Sequence, residues 1–285
     1  MKKIISYIFY PMLLIIVLLI IFMAINFQSD YKVVYGLTTL FLVLILMIFE
    51  KLFPLSNTWS MTGRSFLRDL SYIAVDAPII AGAKSMFGIF AIYYSERHTG
   101  LFIRVPLIIS VTGFLLVFEF FQYWYHRLSH TGTGKIGRFL WKVHLAHHLP
   151  DRVYVVMHAV FNPINAFITT AIIQTPLILL GISPEAALAA TLLIDLQSLI
   201  SHFNVDIRAG FLNYIFIGTE THRYHHSADV KEAKNYGNTL AIWDIIFGTF
   251  YYRPGQTPAK LGIENDDSYP KSSNVFQVIT LPFKK

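Results

Sequence analysis

Long apolar runs separated by short polar breaks set the pattern of the chain. Residues 4–27 are apolar almost throughout, behind Lys2 and Lys3. At about 1.5 Å per residue such a run crosses a ~30 Å hydrocarbon core as one helix. It exceeds the apolar stretch of a secretory signal, and no clear small-x-small cleavage site follows, so it is expected to remain as a span. A polar turn at 28–32 leads to a second run at 33–49, and residues 50–70 are a polar connection holding Pro54, Arg64 and Arg68. The third run, 71–94, is interrupted by Asp76, Pro78 and Lys84. It reads as a span facing the protein interior or as a re-entrant segment. A polar loop at 95–104 precedes the fourth run, 105–125. Two further apolar segments, 155–181 and 185–202, meet at Gly181, Ser183 and Pro184, which predicts a helical hairpin. Residues 203–255 are more polar. The stretch 256–285 has no periodicity and is expected to be surface-bound or loosely ordered.

These runs predict an all-α, polytopic membrane bundle in three parts: N-terminal spans at 1–104, a second region at 105–255 and a C-terminal tail at 256–285. Composition agrees with the membrane reading, at 54% hydrophobic residues, 14% charged and a mean hydropathy of +0.51. The absence of cysteine excludes disulfides, thiolate ligands and a thiol nucleophile. The net charge of +6 lies mainly in loops beside apolar runs, which favours a membrane surface over nucleic acid as partner.

Histidine is the residue that changes the picture. HRLSH and HLAHH place His126, His130, His144, His147 and His148 within 23 positions, and His202, His222, His225 and His226 follow. Residues three or four apart share a helix face, so His126 can point with His130, His144 with His147 and His148, and His222 with His225 and His226. Imidazole is the commonest side-chain metal ligand. Nine exceed what one ion can use, so two ions are the natural reading, and imidazole alone leaves iron, zinc and copper open. Arg127 stands where a zinc-protease HExxH motif needs glutamate. His98 has no histidine nearby and is expected to be solvated. His158, on an apolar segment, is expected to be packed rather than ligating.

The hairpin returns His202 to the side on which His148 left, so all four histidine clusters can share one end of the bundle. Four preceding spans put the N-terminus at that end too. Lys2, Lys3, Lys51, Arg64, Arg68, Arg127, Lys135, Arg138, Lys142 and Arg152 then share it, against Lys32, Arg97 and Arg104 opposite. By the positive-inside rule the histidine end is expected to face the cytoplasm.

Glu119 with Tyr123 before HRLSH, LWKVHLAHH, SHFN, HRYHHS, NYGN at 235–238 and WDIIFGTF at 243–250 together resemble the fatty acid hydroxylase/sterol desaturase superfamily of membrane di-iron enzymes. The match covers about residues 115–250. It implies that the nine histidines are metal ligands. Asn204 would act through water or by donating a hydrogen bond to a ligand. It also implies two iron ions, dioxygen as co-substrate and a lipid substrate. VFNP at 160–163 stands where the family often has arginine and then His-Pro, which leaves the identity of the lipid open. Hydroxylation is the expected reaction, with desaturation as its variant. No GxGxxG after a strand and no fused haem or iron–sulfur module is present, so electrons are expected from an external donor. The basic loop with Arg127, Lys135, Arg138 and Lys142 is suited to an acidic redox protein or to anionic lipid.

Two acids in apolar runs stand seven residues before a histidine: Glu119 before His126 and Asp195 before His202. Intramembrane carboxylates usually have partners, and ligand histidines commonly donate their second N–H to a carboxylate. Both acids are therefore expected to support ligands, with Gln122 and Ser198 extending toward the metals. Two other functions compete. A transporter would spread its histidines within the spans, whereas here they gather at span ends. A closed structural metal site needs about four ligands per ion, and nine can be shared so as to leave positions open.

Overall fold

Local signals in the sequence set the ends of the long helices. α1 (Lys2–Asn26) has no charged residue after Lys3, and α2 (Tyr31–Leu52) starts where Asp30 accepts the N–H groups of Lys32 and Val33. Thr62 and Ser65 form a reciprocal capping box at the start of α3 (Gly63–Ser95). α4 (Leu107–Thr131) ends at Gly132, and α5 (Gly134–His148) follows at once. Asn162 and Ser183, each followed by proline, cap α6 (Pro163–Leu179) and α7 (Pro184–Ser201). Proline suits a first helical turn, where its missing N–H costs nothing. Three short helices complete the chain: α8 (Thr219–His225), α9 (Ile242–Ile246) and α10 (Val275–Thr280). In this computed structural model residues 2–102 and 104–284 are described, and among them there is no β-strand.

α1, α2, α3 and α4 are each long and apolar enough to cross a membrane. Their outward faces carry Ile15, Leu19 and Phe22, then Leu40 and Ile48, then Ile79 and Ile89, all exposed. These are lipid-facing side chains on an integral membrane protein. α7 is the central post. Ala186, Ala190, Leu192, Leu196 and Ile200 are buried on it, in one apolar core with Leu13 and Val17 of α1, Leu42 and Leu46 of α2, and Phe114 and Phe118 of α4.

The two ends of the bundle are distinct. At one, Phe102 N–H donates to the Leu180 carbonyl and Gly100 lies against Gly181 so closely that a Cβ on Gly100 would sit 2.2 Å from the Gly181 Cα. The loops after α1, α3 and α6 meet there. At the other end Arg208 N–H donates to Ser6 O at 2.7 Å, bringing the N-terminus beside the turn after His202. The hairpin and the parity of the spans are therefore as expected.

Three segments differ from the sequence reading. The third span is one continuous helix that starts at Gly63 rather than at 71 and passes through Pro78. Its polar first turns pack inward, with Asp69 held by Arg68 and Tyr154. The segment 155–181 is split, because Val155–Ala159 form a 3-10 turn before Asn162 caps α6. The tail is not loose: Leu261 and Val278 are buried in a second core with Tyr72, Ala146, Tyr154 and Met157. Leu261 stands alone in a polar stretch, and Val278 belongs to a short apolar run at 275–283 that forms only a six-residue helix and a 3-10 turn.

Candidate metal centre

All nine histidines of the four clusters converge, as two groups. The ring nitrogens of His126, His130, His144, His148 and His225 lie within 4.8 Å of one another, and so do those of His147, His202, His222 and His226. α4 supplies two of these residues, α5 three, the end of α7 one, and α8 with the residue after it three. The groups abut, with the rings of His148 and His226 stacked at 4.6 Å.

The outer nitrogens of five rings are engaged. His126 Nδ1 pairs with the Tyr236 carbonyl at 2.8 Å, His225 Nδ1 with Lys234 O at 3.0 Å and His147 Nδ1 with Val160 O at 3.3 Å. His144 Nδ1 meets Asn165 Oδ1 at 3.3 Å, and His202 Nδ1 lies 3.2 Å from Ser198 O. A carbonyl only accepts, so these Nδ1 atoms carry the protons and the Nε2 atoms present lone pairs. Those Nε2 atoms then face one another: His126 to His144 at 3.0 Å, His202 to His147 at 3.1 Å. Opposed lone pairs at that distance repel unless a cation lies between them. Nitrogens each about 2.1 Å from one ion are about 3 Å apart when they meet at a right angle. The donor set therefore fits two transition-metal ions.

Burial reinforces this. It holds His144, His147, His148, His222, His225 and His226 well below the ordinary imidazole pKa, and neighbouring imidazoles push the same way. Neutral imidazole is the ligating form.

The remaining motifs build the scaffold of this centre. The turn carrying Lys234 and Tyr236 is drawn in by Asp244, whose carboxylate accepts the N–H groups of Tyr236 and Gly237 at 2.8 and 2.7 Å and the Thr249 hydroxyl. Gly237 has no space for a side chain: a Cβ would sit 2.6 Å from Leu240 O and 2.9 Å from Asp244 Oδ2. NYGN and WDIIFGTF thus aim two histidine-binding carbonyls. A match to fatty acid hydroxylase covers residues 111–249, the segment that holds every one of these parts. That segment belongs to the fatty acid hydroxylase family.

Two relatives extend the comparison. An ornithine lipid hydroxylase of Rhizobium tropici is 29% identical over 247 residues, covering 83% of this chain and 73% of that protein. An alkylglycerol monooxygenase of Homo sapiens is 31% identical over 134 residues, 46% of this chain and 28% of that protein. No solved structure matches the chain.

The supporting acids of this hydroxylase-family domain act differently from the direct contacts expected of them. Glu119 touches no histidine; its carboxylate accepts the N–H groups of Asn238 and Thr239 and so anchors the turn whose Tyr236 carbonyl holds His126. Asp195 is turned away from His202 and accepts from the Thr39 hydroxyl at 2.8 Å. Seven residues is two turns, but a helical side chain leans toward its own N-terminus, which carries Asp195 away from a ligand on the C-terminal side. Asn204 exchanges hydrogen bonds with the Ser56 backbone rather than with a ligand.

Glu50 and Arg223 emerge as positioning residues that the spacing did not single out. Glu50 accepts N–H from both Val155 and Asn204, tying the segments after His148 and His202 to α2. Arg223 donates to the carbonyls of Phe203 and Val205. His158 lies beside the four-histidine group, its ring 6.0 Å from that of His202, and burial lowers its pKa to about 4. His98 stacks on Tyr94 at the opposite end.

A cavity of about 290 Å³ leads away from both groups into the membrane-spanning region. α2 packs on α7 and α3 packs on α6, and the cavity lies between these two walls, with Tyr35 and Lys84 toward its far end. A second cavity, of about 300 Å³, reaches His130, His148 and His225 from beside Trp141 and Tyr269.

Proposed function

We propose that this protein is an integral-membrane lipid hydroxylase whose two histidine groups hold two iron ions. One observation carries the reading: nine imidazoles, eight of them buried and His130 half-buried, aim their nitrogens at two points, at the inner end of a cavity that runs between spanning helices. The names of both relatives, a lipid hydroxylase and an alkylglycerol monooxygenase, support oxygen insertion over desaturation. Iron bound there would supply, with dioxygen and two outside electrons, the conversion of a lipid C–H to C–OH, the second oxygen atom leaving as water with two protons.

The chain's own residues do the rest. Tyr236, Lys234, Val160 and Asn165 fix ring tautomers, and helix packing around α7 keeps bulk water from the inner end of the cleft. The lipid enters from the bilayer between the α2–α7 and α3–α6 walls. Electrons arrive from a separate carrier protein at the opposite, aqueous side, where the second cavity reaches His130 and His148 beside a half-buried Trp141. The basic residues concentrated at that end orient the centre toward the cytoplasm and suit an acidic carrier.

Comparing lipids of a deletion strain with those of the parent by mass spectrometry tests the activity. A lipid lost from the deletion strain, with its precursor one oxygen lighter accumulating, is the expected result. An unchanged lipid profile under aerobic growth would contradict it.

A further inference from the structure

The cleft that leads to the histidines is mostly apolar, walled by Phe118, Phe161, Ile173 and Ile194, but polar groups interrupt it at its inner end. Close to the metal ligands it presents two buried polar atoms that have no hydrogen-bond partner in the protein: Gln122 Oε1 on α4 and Asn165 Nδ2 on α6. Gln122 is 8% exposed and Asn165 1%. An unpaired buried polar atom costs the full desolvation of that group, so native structures seldom keep one without use.

The orientation of Asn165 is set by its neighbours. Its Oδ1 accepts from the Tyr125 hydroxyl at 2.7 Å and faces His144 Nδ1 at 3.3 Å, which leaves the NH2 free and on the cavity side. Gln122 stands one turn before His126 and also lines the cavity. A donor on one wall therefore accompanies an acceptor on another, both beside the ligands His126 and His144. The polar lining continues outward through Thr169, Thr170 and Ser198 to Asp195 and Lys84. Among the described residues no carboxylate lies within ion-pair distance of Lys84. Thr169, Thr170, Ser198 and Asp195 already have partners within the protein, so Gln122 Oε1 and Asn165 Nδ2 are the atoms that a plain methylene chain would leave unpaired.

We propose that Gln122 and Asn165 are specificity residues for a lipid whose oxidised carbon lies close to a group that both accepts and donates hydrogen bonds. Asn165 Nδ2 donates to an oxygen of that group and Gln122 Oε1 accepts its N–H or O–H. The shared chemistry is met by a secondary amide, as in an N-acylated amino acid lipid, and by the hydroxyls of a glycerol lipid. The inference rests on the lipid-hydroxylase reading and narrows it: the polar part of the lipid, rather than the middle of an alkyl tail, is brought to the metals.

The test uses the full-length protein in nanodiscs, loaded with zinc so that binding is read without turnover. The probes are N-hexadecanoylglycine, 1-O-hexadecylglycerol and methyl hexadecanoate, the last having no donor. The wild-type protein is expected to bind one of the first two about 10-fold or more tightly than the ester, as loss of one or two buried hydrogen bonds implies. Which of the two it prefers identifies amide or glycerol as the source. Gln122→Met, which keeps length and removes no hydrogen bond to a histidine, is expected to erase that preference with metal content unchanged. Equal binding of all three probes by the wild-type protein overturns the proposal, and so does an undiminished preference in a Gln122→Met protein that still holds its metal. In the iron-loaded enzyme, tandem mass spectrometry should place the new hydroxyl within a few bonds of the amide or glycerol. A hydroxyl in mid-chain would overturn this inference while leaving lipid hydroxylation intact.

Discussion

His126 Nδ1 and the carbonyl oxygen of Tyr236 lie 2.8 Å apart, and that one contact links two family motifs that carry no metal ligand to the metal centre. The turn bearing Tyr236 is held by Asp244 from one side and by Glu119 from the other. Replacing Gly237 with alanine would force Leu240 O or Asp244 away from a Cβ that has no room. Gly237→Ala should therefore weaken metal retention by about 10- to 100-fold, as changes to the groups supporting a ligand typically do, with membrane insertion preserved. Metal content measured after dialysis against chelator checks it; wild-type retention would show that the turn does not aim His126.

Glu119→Gln probes the same turn from inside the membrane. The carboxylate uses both oxygens to accept N–H groups, whereas an amide offers one oxygen and sets an NH2 against the other donor. The variant should fold, and lose metal affinity or turnover by about 10- to 100-fold. Iron content and turnover both equal to wild type would detach Glu119 from the centre.

Much of this centre was legible in the sequence because helical periodicity is strict. Spacings of three and four residues put His144, His147 and His148 on one turn, and the parity of the spans put all four clusters at one end. The division of nine ligands into five and four was not legible, since it depends on where α5 crosses α4 and α8. The route from Glu119 to His126 was hidden for a similar reason. It passes through backbone atoms of residues 236–239, and backbone carbonyls leave no mark in residue identity. The folded tail escaped notice because its burial rests on the lone Leu261 and on a six-residue helix, Val275–Thr280, shorter than two turns and so too short for a helical period to show.

The two histidine groups should respond unequally to loss of a ligand. His226→Ala leaves three histidines in its group, whereas His225→Ala leaves four in the other. His226→Ala should lower bound iron to about half by emptying its own group, and His225→Ala should keep more metal while losing activity. His98→Ala, at the far end of the bundle, is the matched control and should match wild type in both. Full iron loading and activity in His225→Ala and His226→Ala would refute the assignment of ligands.

Topology offers an independent check. Reporters fused after Lys285 and inserted near Lys51 should both read out as cytoplasmic, and one placed between Gln28 and Lys32 should read out on the opposite side. A tail and a Lys51 loop on opposite sides would contradict the arrangement of α3 and α4.

The most direct measurement combines metal counting with isotopic oxygen on anaerobically purified protein. Reconstituted with a chemical reductant, lipid extract and ¹⁸O₂, the protein should contain two irons per chain and yield a lipid product heavier by one ¹⁸O atom. Tightly held zinc with no label entering any lipid would contradict the account.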